Sequence, residues 1–304
     1  MKILITGVAG FIGSHVAKRF LAEGYTVVGV DNLSNGKIEN VPAGIEFIQA
    51  DLCNAESLSL LPSDCKKILH FAGQSSGEIS FDDPVADLHT NTILTLNLIK
   101  YGIDNKLERI VYSSSMSVYG NVEDEPINEL HETIPLSCYG VGKLASEGYL
   151  RIYQKQLPFV AMRMFNVYGP GQDLSNLRQG MVSIYLAQAL KSGKINVKGG
   201  INRYRDLIYI DDIVEAWYRA ATYDSAKNQV FNLGTGRKTT VGGLLNMVCE
   251  IVPNATYKII EGTPGDQNGI YADNNKLKRI LKLDQFVEPE KGISIFADWA
   301  KKNS

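Results

Sequence analysis

Tyr139 and Lys143 stand four residues apart in the stretch Cys138-Tyr139-Gly140-Val141-Gly142-Lys143, so on a helix they share one face. A phenol beside an ammonium group has its ionised form favoured. That pair can bring a tyrosine from an ordinary pKa of about 10 toward the range of a general base near neutral pH. Ser115 closes a run of three serines after the apolar stretch Arg109 to Tyr112, and its hydroxyl can orient or shuttle the same proton. Together the three suit removal of a proton from an alcohol. A Tyr and a Lys at this spacing also describe many solvated helix faces, so the chemistry depends on what else is brought near.

The stretch that would bring it is Lys2 to Asp31. A short apolar run, Ile3-Leu4-Ile5, breaks at Gly7, and apolar residues resume at Phe11, Ile12, Val16 and Phe20 with helical spacing. Gly7 permits a sharp turn off a strand, Gly10 lets backbone approach a pyrophosphate, and Gly13 lets the helix pack closely on the sheet. The helix start, at Phe11 and Ile12, aims free amides at phosphate. A second β-rich run ends at Asp31, whose carboxylate can accept hydrogen bonds from both hydroxyls of an adenosine ribose. A 2′-phosphate would meet that carboxylate, and neither Asn32 nor Leu33 offers it a positive charge. NAD is therefore expected rather than NADP. A signal peptide is the rival reading of this start, but three glycines interrupt it and a charged amphipathic helix follows.

A chain of 304 residues can hold one large α/β domain and a smaller one. With 44% hydrophobic and 21% charged residues the composition is that of a globular protein, and a formal net charge of −2 argues against nucleic-acid or anionic-membrane partners. Cys53, Cys65, Cys138 and Cys249 are scattered, with no CxxC pair and no His cluster at metal spacing. Reduced thiols, a cytoplasmic location and no metal site are expected.

Along the chain, the loop after Asp31, with Asn32 and Asn35, can wrap an adenosine. Asp51 and Leu52 follow a predicted strand at Ile45 to Ile48, where a side chain can meet an adenine amino group; Asp51 can equally cap a helix near Ala55. The strand Lys67 to His70 ends in Phe71-Ala72-Gly73, small enough at its turn for backbone to lie against a cofactor. His70 reads as a packed strand residue. Asn91 sits within a long helical pattern from Val85 to Tyr101, either as a structural hydrogen-bonder or as a brace for the site. Ser113, Ser114 and Ser115 should open onto the cofactor cleft, because α/β sites form at the carboxyl ends of parallel strands.

In this order, Gly7-x-x-Gly10-x-x-Gly13, Asp31-Asn32-Leu33-x-Asn35, Asp51-Leu52, His70-Phe71-Ala72-Gly73, Ser113-Ser114-Ser115 and Tyr139-x-x-x-Lys143 resemble the extended short-chain dehydrogenases/reductases, and within them the NAD-dependent nucleotide-sugar epimerase/dehydratase family. The stretches Arg163 to Pro170, Tyr204 to Asp212 and Phe231 to Gly236 are similar as well. The resemblance implies that Phe165 lies at the cofactor and that Asn166 and Arg205 hold a substrate diphosphate, with Asp266 also at the substrate. On its own chemistry Arg205 can grip phosphate through its fork, or pair with Asp206 or Asp212. The implied reaction is 4-epimerisation of a nucleotide sugar through a transient 4-keto sugar, with Tyr139 as the base. A 4-dehydrogenase or 4-ketoreductase shares these residues. A 4,6-dehydratase resembling this chain carries Asp-Glu where it has Met116-Ser117, and a non-catalytic NAD sensor has no need of the Tyr-Lys pair. Two positions depart from the family pattern: Lys198 where an aromatic residue often stacks on the base, and Thr263 where an arginine often precedes Gly-Asp. UDP is the default nucleotide.

The order of elements predicts a doubly wound, mostly parallel α/β sheet over residues 1–166, joined by a returning segment near 205–236, and a smaller substrate domain over 167–304. The family resemblance implies a homodimer built on the Val85 to Tyr101 helix and the helix carrying Tyr139.

Overall fold

The computed structural model describes residues 1–262 and 268–303. In chain order the strands begin β1 (Lys2–Thr6), β2 (Thr26–Asp31), β3 (Glu46–Gln49), β4 (Lys67–His70), β5 (Arg109–Ser115) and β6 (Phe159–Met164). Four shorter strands follow, β7 (Asn166–Tyr168), β8 (Lys194–Lys198), β9 (Tyr204–Arg205) and β10 (Leu207–Tyr209). Then come β11 (Gln229–Leu233), β12 (Thr239–Thr240), β13 (Thr256–Ile260) and β14 (Gly269–Ile270). The helices are α1 (Phe11–Ala22), α2 (Pro84–Leu88), α3 (Leu94–Asp104), α4 (Cys138–Tyr153), α5 (Met181–Ser192), α6 (Ile210–Thr222), α7 (Val241–Ile251), α8 (Asn275–Leu281) and α9 (Pro289–Asn303).

Seven strands form one parallel sheet in the order β11-β6-β5-β4-β1-β2-β3. The chain lays β1, β2 and β3 outward in one direction, then crosses back to place β4 on the other side of β1. That reversal opens a crevice at the carboxyl ends of β1 and β4, where open α/β sheets bind ligands. Helices cover both faces, so a strand such as Ile3-Leu4-Ile5 must be apolar on both sides. On one face α1 and α6 bury Val16, Phe20, Ile213 and Trp217; on the other α3 and α4 bury Leu94, Leu98, Ile99 and Leu150. Each such side chain contributes about 1.5–3 kcal/mol by leaving water. β8 with β13, and β9 with β12 and β14, make two small sheets beside the mutually packed α5, α7 and α9.

Two local expectations need correction. The pattern from Val85 to Tyr101 is not one regular helix: a π-turn at His89–Ile93 separates α2 from α3. At this turn the Asn91 carbonyl accepts from both Thr95 Oγ1 of α3 and Ser146 Oγ of α4 at 2.8 Å, so hydroxyls from two helices compete with the backbone ladder there. Nor does Asp51 cap the turn at Ala55–Leu60; Asn54 does, accepting the Glu56 N–H at 3.0 Å, while Asp51 Oδ1 accepts the Cys53 N–H.

Candidate active site

Gly7 follows β1 with φ +71°, and a Cβ there would lie 2.7 Å from the Ala72 nitrogen. At Gly13 an added Cβ would fall 2.2 Å from the Gly7 carbonyl oxygen, so α1 can sit this close to the turn only without a side chain. α1 starts after Gly10 with no side chain capping it, leaving the first amides, at Phe11 and Ile12, to a ligand. Asp31, at the end of β2, is fixed by two backbone donors: Ala9 N–H to Oδ2 at 3.0 Å and Leu33 N–H to Oδ1 at 2.8 Å. Each oxygen keeps a further lone pair for a ribose hydroxyl. Asn32 and Asn35 are exposed in the loop that follows. These residues fit the adenosine and pyrophosphate of a dinucleotide, with an uncapped helix start and a cradle that one methyl group would fill.

Phe71, Ala72 and Gly73 leave β4 beside that turn. The Ala72 N–H donates to Thr6 Oγ1, and the Phe71 ring turns away to stack on Trp217, 3.9 Å between centroids. Leu52 is core, and Ser113 is buried within β5. Asn91 is buried under Gly73: its Nδ2 donates to Asp87 Oδ1 at 3.1 Å, and a Cβ on Gly73 would lie 2.8 Å from its Oδ1. Its side chain therefore braces α2 and the Gly73 turn. His70 lies between the hydroxyls of Thr6 and Thr95, as a packed strand histidine should.

Ser137 caps α4 by accepting the Gly140 N–H at 3.1 Å, which places Tyr139 in the first turn and Lys143 one turn on. Tyr139 is 9% exposed and Lys143 3%. The Lys143 Nζ lies 5.6 Å from the Tyr139 ring centroid and 5.0 Å from that of Tyr112. Ser115 ends β5; its Oγ accepts the Ser117 N–H and meets Ser117 Oγ, both at 3.1 Å. Behind them Glu147 grips Arg163 through Nε at 2.9 Å and Nη2 at 2.7 Å, accepts from Ser114 Oγ, and so anchors α4 to β5 and β6.

The electrostatics reverse one expectation. Burial pushes the Tyr139 phenol up to about 12 rather than down, with Asp87 adding to the rise and a hydrogen bond with Ser115 offsetting part of it. Burial also lowers Lys143 to about 7, against the opposing pull of Asp87. Spacing along the helix shows the attraction between neighbours but not the cost of taking both charges out of water, which is the larger effect at each group.

Beside this cluster is a pocket of about 570 Å³, lined by Ser115, Tyr139, Phe165, Asn166 and Arg205 together with Phe11 and Ile12 at the start of α1. The Asn166 N–H donates to the Asp206 carbonyl, while its Nδ2 lies 3.5 Å from Met116 Sδ. Arg205 is buried, and burial with the nearby Arg203 lowers it to about 10. Asp206 is occupied elsewhere, accepting from Thr235 N–H and Oγ1 and from the amides of Gly236 and Ala272. Asp212 accepts the Val287 N–H. Lys198 lines the pocket and pairs with Glu78 at 3.0 Å; Arg178, from another loop, pairs with Glu78 at 3.2 Å and Asp82 at 2.7 Å. The pocket also takes in Ser75, Ser76, Gln179 and Arg203, none of which the sequence singles out. Glu78 and Arg178 are 100 positions apart and belong to no motif, so nothing local marks them. Asp266 and Thr263 lie outside the described residues. Among the described residues no His, Cys, Asp and Glu group could hold a metal, and no helix is long and apolar enough to cross a membrane.

A dinucleotide crevice that opens onto a buried serine, phenol and ammonium, next to a pocket with an asparagine and an arginine, defines a Rossmann-type enzyme scaffold with a nicotinamide cofactor. The chain belongs to the NAD dependent epimerase/dehydratase family, which matches residues 3–234, and the cofactor is NAD. It is 32% identical to the UDP-glucose 4-epimerase of Mycolicibacterium smegmatis over 100% of both chains. Among solved structures it resembles the UDP-glucose 4-epimerase of Thermotoga maritima with UDP-glucose, at TM-score 0.95 and 34% identity over 100% of this chain and 99% of that one. It also resembles the Thermus thermophilus UDP-glucose 4-epimerase in complex with NAD, at TM-score 0.93 and 31% identity over 100% of each.

Proposed function

We propose that the protein is a nucleotide-sugar 4-epimerase, with a UDP-sugar as its default substrate. The observation that carries this reading is the phenol of Tyr139 on the wall of the pocket, held by Ser115 and backed by Lys143. NAD, when bound, supplies reversible hydride acceptance at the sugar carbon and a positively charged ring that favours the phenolate. Tyr139 takes the proton of the C4 hydroxyl and later returns it, while Ser115 holds the same oxygen. Lys143 stabilises the phenolate from behind. Asn166 and Arg205 grip the diphosphate, so the sugar beyond it is free to present its other face. The likeness to UDP-glucose 4-epimerases along the whole chain supports this assignment.

Dehydration is disfavoured because Met116 and Ser117 follow Ser115. A thioether offers no proton, and the Ser117 hydroxyl, which accepts from Ser115 Oγ, is an alcohol and far too weak an acid to protonate a leaving group near neutral pH. Exposed apolar residues on α2 and α4, with Val85 at 65% and Ile152 at 71%, support pairing of two copies through these helices, which light scattering would test.

The deciding experiment incubates the purified protein with UDP-, GDP-, CDP- and dTDP-sugars and follows C4 inversion by NMR together with absorbance of reduced cofactor. Inversion without accumulation of NADH is expected; stoichiometric NADH would assign a 4-dehydrogenase instead. Tyr139→Phe should lose about 10²- to 10⁴-fold in turnover with NAD still bound, and wild-type-like activity would remove Tyr139 from the role.

A further inference from the structure

Asp87, on the short helix α2, carries a carboxylate that the chemistry so far leaves unused. It is 2% exposed, buried against the helix that bears the phenol and the ammonium. Its Oδ1 accepts from Gln74 Nε2 at 2.8 Å and from Asn91 Nδ2 at 3.1 Å. Its Oδ2 is buried with no hydrogen-bond partner and lies 3.5 Å from where a Cβ on Gly142 would sit, one residue before Lys143. A buried carboxylate oxygen without a donor is costly unless a charge compensates it.

Groups from several elements lie around Lys143. Tyr139 on its own helix and Tyr112 on β5 present rings. His70 on β4 is held neutral, its pKa pushed well below the usual value by burial and by Lys143 itself. Glu147, one turn along α4, is taken by Arg163 and Ser114. Among the described residues the carboxylate that acts on Lys143 is that of Asp87, through space rather than by direct ion pairing, and the effect is mutual: each favours the charged form of the other.

We propose that Asp87 is a positioning residue for the reaction, supplying the buried countercharge that keeps Lys143 an ammonium behind the Tyr139 hydroxyl. Gln74 and Asn91 hold the carboxylate in place. Because Gln74 also donates to the Ser76 carbonyl at 2.7 Å, the same carboxylate ties the pocket-lining loop Ser75 to Glu78 to the proton-transfer pair. This rests on the reading of Tyr139 and Lys143 as that pair. Without Asp87 a buried amine sheds its proton at lower pH. The limb of the pH–activity profile that Lys143 sets should then move toward acid.

The test follows the ¹³Cε resonance of Lys143 against pH in the NAD-bound protein, assigned by its loss in Lys143→Arg, alongside kcat/KM profiles. Asp87→Asn keeps the shape and an acceptor for Gln74 and Asn91. It should lower the Lys143 midpoint by about one pH unit and shift the limb of the profile that Lys143 sets by the same amount. Asp87→Glu, which keeps the charge, should restore most of both. A midpoint unchanged in Asp87→Asn, or equal loss of activity in the Asn and Glu variants at an unchanged midpoint, overturns the proposal and leaves Asp87 a packing residue. If Asp87→Asn does not fold, Lys143→Met reads the same coupling from the other side: the ¹³Cγ midpoint of Asp87 should rise, and a midpoint that stays overturns the proposal. The titrations need no sugar. A midpoint that moves in a protein that converts no sugar nucleotide would sink the epimerase reading and leave the charge coupling standing.

Discussion

Gly13→Ala sets two effects of opposite sign against each other. In an exposed helix the change would stabilise by about 1 kcal/mol, the usual margin of Ala over Gly. Here the new Cβ would stand 2.2 Å from the Gly7 carbonyl oxygen and 2.9 Å from its carbon, both backbone atoms. An ordinary contact needs the turn to withdraw by about 1 Å. It has nowhere to go. Gly7 is bonded to the Val30 carbonyl at 2.8 Å on one side, and the position of its missing Cβ lies 2.7 Å from the Ala72 nitrogen on the other. Overpacking costs about 1–3 kcal/mol, and against backbone that cannot yield the upper end applies, so after the helix gain a net loss of about 2 kcal/mol is expected. The displaced turn is also the proposed pyrophosphate cradle, so NAD should bind at least about tenfold more weakly, or roughly 1.4 kcal/mol. Urea unfolding followed by tryptophan fluorescence, with calorimetric titration of NAD, reads both. Gly242→Ala in α7, where the nearest atom would be 3.6 Å away, is the control and should lose nothing. A Gly13→Ala protein as stable as wild type with an unchanged NAD affinity would refute the reasoning.

Arg163→Met removes the partner of a carboxylate that is itself buried. Because Glu147 is then left uncompensated, a loss of about 3–5 kcal/mol is expected in chemical denaturation, and less than 1 kcal/mol would show that the pair is already hydrated. Burial raises Asp212 to about 6, with the Val287 N–H working against the rise. A carboxyl that holds its proton more tightly when folded costs stability as the pH climbs from about 4 through 6. Asp212→Asn, which retains an acceptor for Val287, should therefore unfold at higher urea than wild type at pH 7.5, with the advantage shrinking toward pH 4. Identical midpoints at pH 7.5 would contradict the assignment.

What could be read from the amino acids alone was whatever a few consecutive residues enforce. Gly7, Gly10 and Gly13 mark a strand, a turn and a helix within 12 positions, and Asp31 closes the next strand, because backbone sterics and hydrophobic period act over short distances. The helical spacing of Tyr139 and Lys143, and the serines at the end of β5, follow from the same rules. Long-range packing set the rest. The direction of the Tyr139 and Lys143 shifts depends on how much water the folded chain excludes. The π-turn at Asn91 depends on Ser146, 55 positions away, and the pocket wall of Glu78, Arg178 and Lys198 on three separate segments. Electrostatics and desolvation sum over everything nearby in space, and that neighbourhood does not exist until the sheet and its helices have closed on one another.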